Sequence, residues 1–163
     1  MKIHEVTSVI FLDIDGVLNN VDITRFHKGR PGEYAYGVFT NENYFDPNCV
    51  ACLNKIIETT KADIVISSTW RILFDIETLS DFFKRQSVKG KVIGCTGRSQ
   101  QRIRGLEIQD WLSEHPKIKN FVILDDDSDM VHLMSHLVKT SWGKGLEEHH
   151  IDKAIAVLNN GVE

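Results

Sequence analysis

Three uninterrupted hydrophobic runs, each followed at once by polar residues, are the clearest pattern along the chain. They extend from Val9 to Leu12, from Ile64 to Ile66 and from Phe121 to Leu124. Runs without polar alternation are typical of strands that are buried on both faces, as in a parallel sheet covered by helices. Two weaker runs, Lys91 to Cys95 and Leu137 to Thr140, predict further strands.

Hydrophobic residues recur at helical spacing in the segments between these runs. Asp46 followed by Pro47 predicts a helix start, because proline favours the first position of a helix, and residues 50–57 continue the helical repeat. The segments Glu107 to His115 and Glu147 to Leu158 show the same spacing. The alternation of strands and helices predicts an α/β fold, a three-layer sandwich with a central parallel sheet of the Rossmann type.

The segment from Asn19 to Phe45 departs from this alternation. Glycine and proline punctuate it, and aromatic residues crowd its second half. This pattern predicts a small flap or hairpin instead of a large cap, within one domain that spans residues 1–163. The aromatic residues of the flap either stack a nucleobase or form a small satellite core.

The composition is that of an ordinary globular protein, with 42% hydrophobic and 26% charged residues. A net charge of −4 disfavours broad binding to duplex nucleic acid, which requires many cations, but is compatible with gripping one phosphorylated end. The three cysteines, an odd number, fit a reducing cytoplasm. The first hydrophobic run is too short for a membrane span, so we expect a cytoplasmic protein that binds no membrane.

Acidic residues directly follow two of the three clear hydrophobic runs. Asp13 and Asp15, with Gly16 behind them, end the first run, and the stretch Asp125 to Asp127 ends the third. If these strands are neighbours in a parallel sheet, both clusters lie at its carboxyl edge, where such sheets bind ligands. Several carboxylates in one place suit a hard cation such as Mg²⁺. Each cluster alone is also compatible with an ordinary acidic turn.

Hydroxyl groups and arginines complete the set of candidate site residues. Ser67, Ser68 and Thr69 follow the second run, where they either hold a phosphoryl oxygen or cap the next helix. Arg71 either reaches a substrate phosphate or simply belongs to that helix. A site with several carboxylates needs positive charge to hold a phosphate, and Arg104, just before a predicted helix, is the best candidate.

Together these residues resemble the haloacid-dehalogenase (HAD) superfamily, whose signature is Asp-x-Asp, then Ser/Thr, then Lys/Arg, then a late acidic pair. The resemblance implies that Asp13 is the nucleophile that forms an aspartyl-phosphate. It implies that Asp15 protonates the leaving oxygen and later activates water, that Ser67 binds the phosphate, and that Arg104 supplies the basic group. It also implies a Mg²⁺ site made by Asp13, Asp15 through its carbonyl group, Asp125 and Asp126.

Two longer sequence motifs narrow this resemblance to particular groups of HAD domains. Phe-Leu-Asp-Ile-Asp-Gly-Val-Leu-Asn and Ile-Ser-Ser-Thr-Trp-Arg are similar to HAD domains of RNA-repair proteins and, more distantly, to the 3′-phosphatase domains of polynucleotide kinases. The chain departs from those phosphatases in having Arg104 in place of lysine. It also has a third acid, Asp127, whose part in the metal site is left open.

The function expected from this resemblance is Mg²⁺-dependent hydrolysis of a phosphomonoester at the 3′ or 5′ end of a nucleotide or polynucleotide. The small flap favours such a substrate, because an open cleft admits a large molecule. A small-metabolite or phosphoprotein phosphatase is one alternative, and a non-catalytic metal- or phosphate-binding module is another. Four residues are expected around the substrate: Gly16, Ser68, Thr69 and Arg71.

Several other residues are of types that often bind metals or ligands, but we do not expect them to form the site. The pair Cys49-x-x-Cys52 has metal-ligand spacing, but without a second such pair it is expected to pack in the core. Trp111 and Trp142 are also expected to be packing residues. The stretch His149-His150 is expected on an exposed helix.

Overall fold

The computed structural model describes residues 6–20 and 44–160, which contain a five-stranded parallel sheet. In spatial order, its strands begin at Val92, Asp63, Ser8, Asn120 and Leu137. All of the predicted strands are confirmed, each to within one residue of its expected bounds. The flap predicted from Asn19 to Phe45 lies largely outside the described residues, so the division into one domain with a minimal cap stays a prediction. The strands are β1 (Ser8–Leu12), β2 (Asp63–Ile66), β3 (Val92–Cys95), β4 (Asn120–Asp125) and β5 (Leu137–Lys139).

Helices connect successive strands, as the hydrophobic spacing predicts. At the start of the first helix Asp46 accepts a hydrogen bond from the backbone N–H of Asn48 at 2.8 Å, and Pro47 occupies the first helical position. The helix predicted from Glu147 begins as a 3₁₀ turn, Glu148–His150, and becomes α-helical only at Ile151. The α-helices are α1 (Pro47–Thr60), α2 (Trp70–Leu73), α3 (Ile76–Arg85), α4 (Arg104–Glu114) and α5 (Ile151–Asn160), and a second 3₁₀ helix spans Val131–His136.

Alternate residues of the central strands enter two separate hydrophobic layers. Ile10 and Leu12 of β1 pack in the layer that contains α1, α3 and α5, whereas Val9 and Phe11 pack in the layer that contains α4. Successive side chains of a strand point to opposite faces of the sheet, so a continuous hydrophobic run buries both faces. This arrangement confirms the three-layer sandwich.

Two aromatic residues at the end of the predicted flap belong to the main core. Tyr44 and Phe45 are buried and make edge contacts with Phe82 of α3, with ring centroids 5.9 and 5.1 Å apart. These two residues therefore pack in the main core and not in a separate satellite core. No helix within the described residues is long and apolar enough to cross a bilayer.

Candidate active site

One row of residues crosses the sheet at its carboxyl edge. Leu12 of β1 is in register with Ile66 of β2 and Leu124 of β4, so the residues that follow these three are neighbours. The backbone N–H of Asp13 donates to the carbonyl oxygen of Leu124, and that of Ser67 donates to Leu12, both at 3.0 Å. The row consists of Thr96, Ser67, Asp13 and Asp125 in spatial order.

Three carboxylates meet in this row and just behind it. Oxygen atoms of Asp13, Asp125 and Asp126 all lie within 4.8 Å of one another. Asp13 and Asp125 are buried, and Asp126 is partly exposed. Asp127 is exposed, and its backbone N–H donates to Asp125 at 2.9 Å. A compact set of carboxylate oxygens is the ligand chemistry that Mg²⁺ prefers, so the donor set fits this ion.

Gly16 leaves space for the Asp126 carboxylate. The φ angle of Gly16 is +78°, and a Cβ atom on this residue would lie 2.5 Å from Cγ of Asp126. Any other residue would therefore combine a left-handed backbone with a direct clash. Gly16 is therefore required because the side chain of Asp126, the residue after β4, occupies the space beside it.

Burial and mutual repulsion shift the ionisation of the three acids. Burial raises the pKa of Asp13 above its usual range, although the charge of Arg104 acts in the opposite direction. Burial and the neighbouring Asp13 raise the pKa of Asp125 to about 7, and the same two causes raise the pKa of Asp126. Like charges at such short range favour a bound cation or a retained proton.

Arg104 supplies the positive charge from the first turn of α4. Its Nη1 atom lies 3.4 Å from Oδ1 of Asp13 and 3.2 Å from Oδ2 of Asp125. Burial alone would lower the pKa of Arg104, but these two carboxylates offset it and raise the pKa. Arg104 Nη1 and Asp125 Oδ2 are close but not aligned as a hydrogen bond, and no described residue satisfies either atom. Charge attraction therefore holds these two buried atoms close together.

The loop after the acidic cluster sets the position of Arg104. The backbone N–H of Arg104 donates to the Asp129 carboxylate at 2.9 Å, and that of Gly105 donates to the Asp129 carbonyl at 3.0 Å. A Cβ on Gly105 would lie 2.3 Å from the carbonyl oxygen of Met130. Because only glycine permits this approach, the start of α4 packs directly against the chain that leaves β4.

Asp15 faces a different set of partners from Asp13. Its two carboxylate oxygens accept hydrogen bonds from the indole N–H of Trp70 at 2.9 Å and from the side-chain amide of Asn19 at 3.2 Å. The Asp15 side chain is not part of the group of three close carboxylates. The metal contact through the Asp15 carbonyl group stays a prediction.

Hydroxyl groups lie at the ends of β2 and β3, beside Asp13. The Oγ atom of Ser67 and the Oγ1 atom of Thr96 are buried, and neither has a hydrogen-bond partner among the described residues. A hydrogen bond from Ser68 acts to lower the pKa of Asp13, against the larger effect of burial. Thr69 is exposed at the start of α2. Unsatisfied buried hydroxyls are unfavourable, which fits an oxygen-rich ligand in the same place.

Arg71 has no N–H group left for a substrate. Its five donors are all used within the protein: four by carbonyl oxygens and one by the carboxylate of Glu107, at 2.6 Å. The side chains of this ion pair are only 6% and 5% exposed. We therefore revise the interpretation of Arg71 from a phosphate ligand to a residue that ties the ends of the strands to α4. The four carbonyl groups belong to Ser67, Ser68, Thr96 and Gly97.

Four supporting residues could not be identified from the sequence. Trp70 and Asn19 hold Asp15, Asp129 holds the start of α4, and Glu107 neutralises Arg71. Only Asn19 lies close to its partner in the chain. The others act across tens of residues, and no local pattern marks them.

The structure confirms some of the expected structural roles and contradicts others. Cys49 and Trp111 are buried, at 2% and 7% exposure, so packing is confirmed for both. His150 is also buried, and its Nδ1 atom accepts the backbone N–H of Glu147 at 2.9 Å, so the expectation of an exposed helix is wrong there. The packing prediction is wrong for Trp142, which is 56% exposed.

The sequence from β1 to the start of α5 matches one known family. The family model, described as the HAD domain in Swiss Army Knife RNA repair proteins, matches residues 9–151. The chain belongs to this family. The matched part of this HAD domain includes the whole row at the sheet edge.

One solved structure and the curated proteins complete the comparison. A haloacid dehalogenase-like family hydrolase from Streptococcus pneumoniae is similar to this HAD domain at 16% sequence identity and a TM-score of 0.46. The alignment covers 91% of this chain and 90% of that chain. Among curated proteins, none matches the chain.

Proposed function

We propose that this HAD domain is a Mg²⁺-dependent phosphatase that removes a terminal phosphate from a nucleotide or polynucleotide. The proposal rests on the groups that surround the Asp13 carboxylate. Its buried carboxylate lies 3.4 Å from the Arg104 guanidinium and within 4.8 Å of two further carboxylates. A nucleophile, a cation and a metal-type donor set thus occupy one small volume at a sheet edge that binds ligands in this class of fold.

In the first step of the proposed reaction, a carboxylate oxygen of Asp13 forms a bond to phosphorus while the bond from phosphorus to the ester oxygen breaks. Asp15 donates a proton to the departing oxygen, which leaves as a hydroxyl group. In the second step Asp15 takes a proton from water, whose oxygen attacks phosphorus and releases Asp13 and inorganic phosphate. The hydrogen bonds from Trp70 and Asn19 keep the Asp15 carboxyl group oriented for both proton transfers.

Mg²⁺ would be held by Asp13, Asp125, Asp126 and the carbonyl group of Asp15, and when bound it supplies positive charge beside the phosphoryl oxygens. Arg104 adds a second positive charge next to the carboxylates of Asp13 and Asp125. It is a fixed cation, because guanidinium stays charged at any physiological pH. Electrostatic attraction to Arg104 offsets the repulsion between the Asp13 carboxylate and a phosphate dianion.

The unpartnered hydroxyl groups of Ser67 and Thr96 are suited to donate hydrogen bonds to phosphoryl oxygens. Gly16 and Ser68 serve the same site indirectly, through Asp126 and Asp13 respectively. Thr69 is exposed at the rim and remains a predicted substrate contact.

The nucleic-acid substrate rests on the family, whose name refers to RNA-repair proteins. The net charge of −4 agrees with recognition of a single end, because binding along a duplex requires a continuous basic surface. The substrate proposed is therefore a strand end that carries a phosphomonoester.

Release of inorganic phosphate tests this proposal. The substrates are 3′-phosphorylated and 5′-phosphorylated oligonucleotides, mononucleotides and a sugar phosphate, each with Mg²⁺ and with EDTA. We expect turnover of at least one nucleic-acid substrate, its loss in EDTA, and its loss in Asp13→Asn but not in the matched variant Asp127→Asn. Turnover of the sugar phosphate alone would overturn the nucleic-acid substrate. Absence of turnover on every substrate would overturn the proposal and leave a phosphoprotein phosphatase or a binding module as the alternatives.

A further inference from the structure

Trp142 is the one exposed tryptophan of the chain. It is 56% exposed, whereas the other two, Trp70 and Trp111, are each 7% exposed. It lies in the segment between β5 and the 3₁₀ helix Glu148–His150. This segment leaves the carboxyl end of β5 and therefore belongs to the same edge of the sheet as the proposed active site.

Both ends of the Trp142 segment are attached to the turn that carries Asp13 and Asp15. The hydroxyl of Thr140 donates to the carbonyl oxygen of Gly16 at 2.7 Å. The backbone N–H of Leu146 donates to the carbonyl oxygen of Val17 at 2.8 Å. Because Trp142 is two residues from Thr140, its Cα lies within about 7 Å of that anchor. Trp142 thus stands directly beside the turn on which the proposed chemistry depends.

Hydrogen bonds within the Trp142 segment also fix its backbone. The carbonyl oxygen of Ser141 accepts the backbone N–H groups of Lys144 and Gly145, at 3.1 and 2.7 Å. Gly145 has a φ angle of +71°, and a Cβ there would lie 2.7 Å from the Val17 carbonyl oxygen. The tight turn and this close contact hold the backbone around Trp142 in place.

We propose that Trp142 is a stacking platform for a nucleobase close to the phosphorylated end of the substrate strand. The proposal rests on the nucleic-acid substrate proposed above and names the residue that would recognise it. An exposed indole ring on a segment that is anchored to the active-site turn is suited to this role, because every base has a π face and stacking tolerates any sequence. Lys144 of the same segment has an exposed side chain, whose ammonium group lies 3.9 Å from the carboxylate of Glu147.

Fluorescence provides a binding test that does not depend on turnover. The Asp13→Asn variant is titrated with a 3′-phosphorylated oligonucleotide, and the emission of the exposed tryptophan is followed. We expect quenching on binding, and we expect Asp13→Asn combined with Trp142→Phe to lose this quenching. Quenching of equal size in both proteins would overturn the platform, since it would then arise from the two buried tryptophans.

Kinetics with paired substrates separate stacking from a general structural effect. One oligonucleotide carries all of its bases, and its partner lacks the two bases next to the phosphate. With the complete strand, Trp142→Ala should raise KM about tenfold with little change in kcat, and Trp142→Phe should recover most of the loss. With the base-free end, wild type and Trp142→Ala should have the same KM.

Met134→Ala is the control variant. It removes a comparably exposed hydrophobic group, 46% exposed and just before the opposite end of β5, and should change neither KM nor kcat.

Two unfavourable outcomes are distinguishable. If wild type hydrolyses both oligonucleotides and Trp142→Ala leaves KM of the complete strand unchanged, the platform is wrong while the proposed function stands. If wild type hydrolyses a sugar phosphate and neither oligonucleotide, the nucleic-acid substrate is wrong and the platform is overturned with it.

Discussion

The indole N–H of Trp70 donates a hydrogen bond to the carboxylate of Asp15, with Nε1 and Oδ2 2.9 Å apart. Trp70 is itself fixed by the hydrophobic core, where its ring lies 5.9 Å from that of Phe82 and 5.6 Å from that of Tyr44. The orientation of the proposed acid is therefore set by packing behind the site. This contact links core rigidity to the proton transfer proposed for Asp15.

Trp70→Phe should slow the proposed reaction selectively. Phenylalanine keeps most of the ring packing but removes the N–H donor that orients Asp15. We expect kcat to fall about tenfold on an alkyl phosphate and less on an aryl phosphate, because a poor leaving group depends more on general-acid catalysis. Steady-state kinetics on both substrates, with thermal melting to establish folding, measure this effect. Equal losses on the two substrates would exclude an effect through Asp15.

Gly16→Ala should weaken metal binding. A methyl group there meets the Asp126 carboxylate at 2.5 Å, and alanine is strained at a φ of +78°. We expect the Mg²⁺ concentration for half-maximal activity to rise at least about tenfold, since displacement of one ligand loses more than about 1.4 kcal/mol. Gly143→Ala is the matched control, because no atom lies within 4 Å of a Cβ at that position. A similar response in the two variants would contradict the proposed role of Asp126.

Glu107→Ala should destabilise the fold. The change leaves the buried guanidinium of Arg71 without its carboxylate partner, and breaking a buried ion pair in this way costs about 3–5 kcal/mol. Denaturant unfolding measures the loss of free energy. Glu58 forms an exposed pair with Lys89, and Glu58→Ala should leave the unfolding midpoint almost unchanged. A midpoint for Glu107→Ala equal to that of wild type would show that Arg71 does not need this partner.

Removal of metal should make stability depend on pH. In the metal-free protein the pKa of Asp125 is raised from 3.8 to about 7, so between these values the folded state binds more protons than the unfolded state. The free energy of unfolding must then decrease as the pH rises through this range. In EDTA we expect a lower melting temperature at pH 8 than at pH 5, and added Mg²⁺ should restore stability at pH 8.

Asp125→Asn serves as the control for this prediction. Asparagine cannot ionise, so the metal-free variant should show a much flatter dependence of melting temperature on pH. It should also respond less to added Mg²⁺, because one carboxylate ligand is missing. An unchanged pH dependence in Asp125→Asn would assign the effect to other groups.

The sequence by itself determined the layers of the fold and the edge at which the candidate site lies. Continuous hydrophobic runs such as Val9 to Leu12 can be buried only between two helical layers, and parallel strands bring their carboxyl ends to one edge. Asp13, Ser67 and Asp125 were therefore predictable neighbours, as was the helix start at Asp46. These features depend on local periodicity and on residues adjacent to strand ends, which a single sequence contains.

Only the tertiary structure decided how individual side chains are used. The bond from Trp70 to Asp15 spans 55 residues, the pair of Arg71 with Glu107 spans 36, and the attachment of Thr140 to Gly16 spans 124. Such contacts depend on which loops fold against each other, and no spacing rule encodes them. For the same reason the sequence did not reveal that Trp142 is exposed or that the N–H groups of Arg71 are all used within the protein, since burial and available partners are properties of the packed chain.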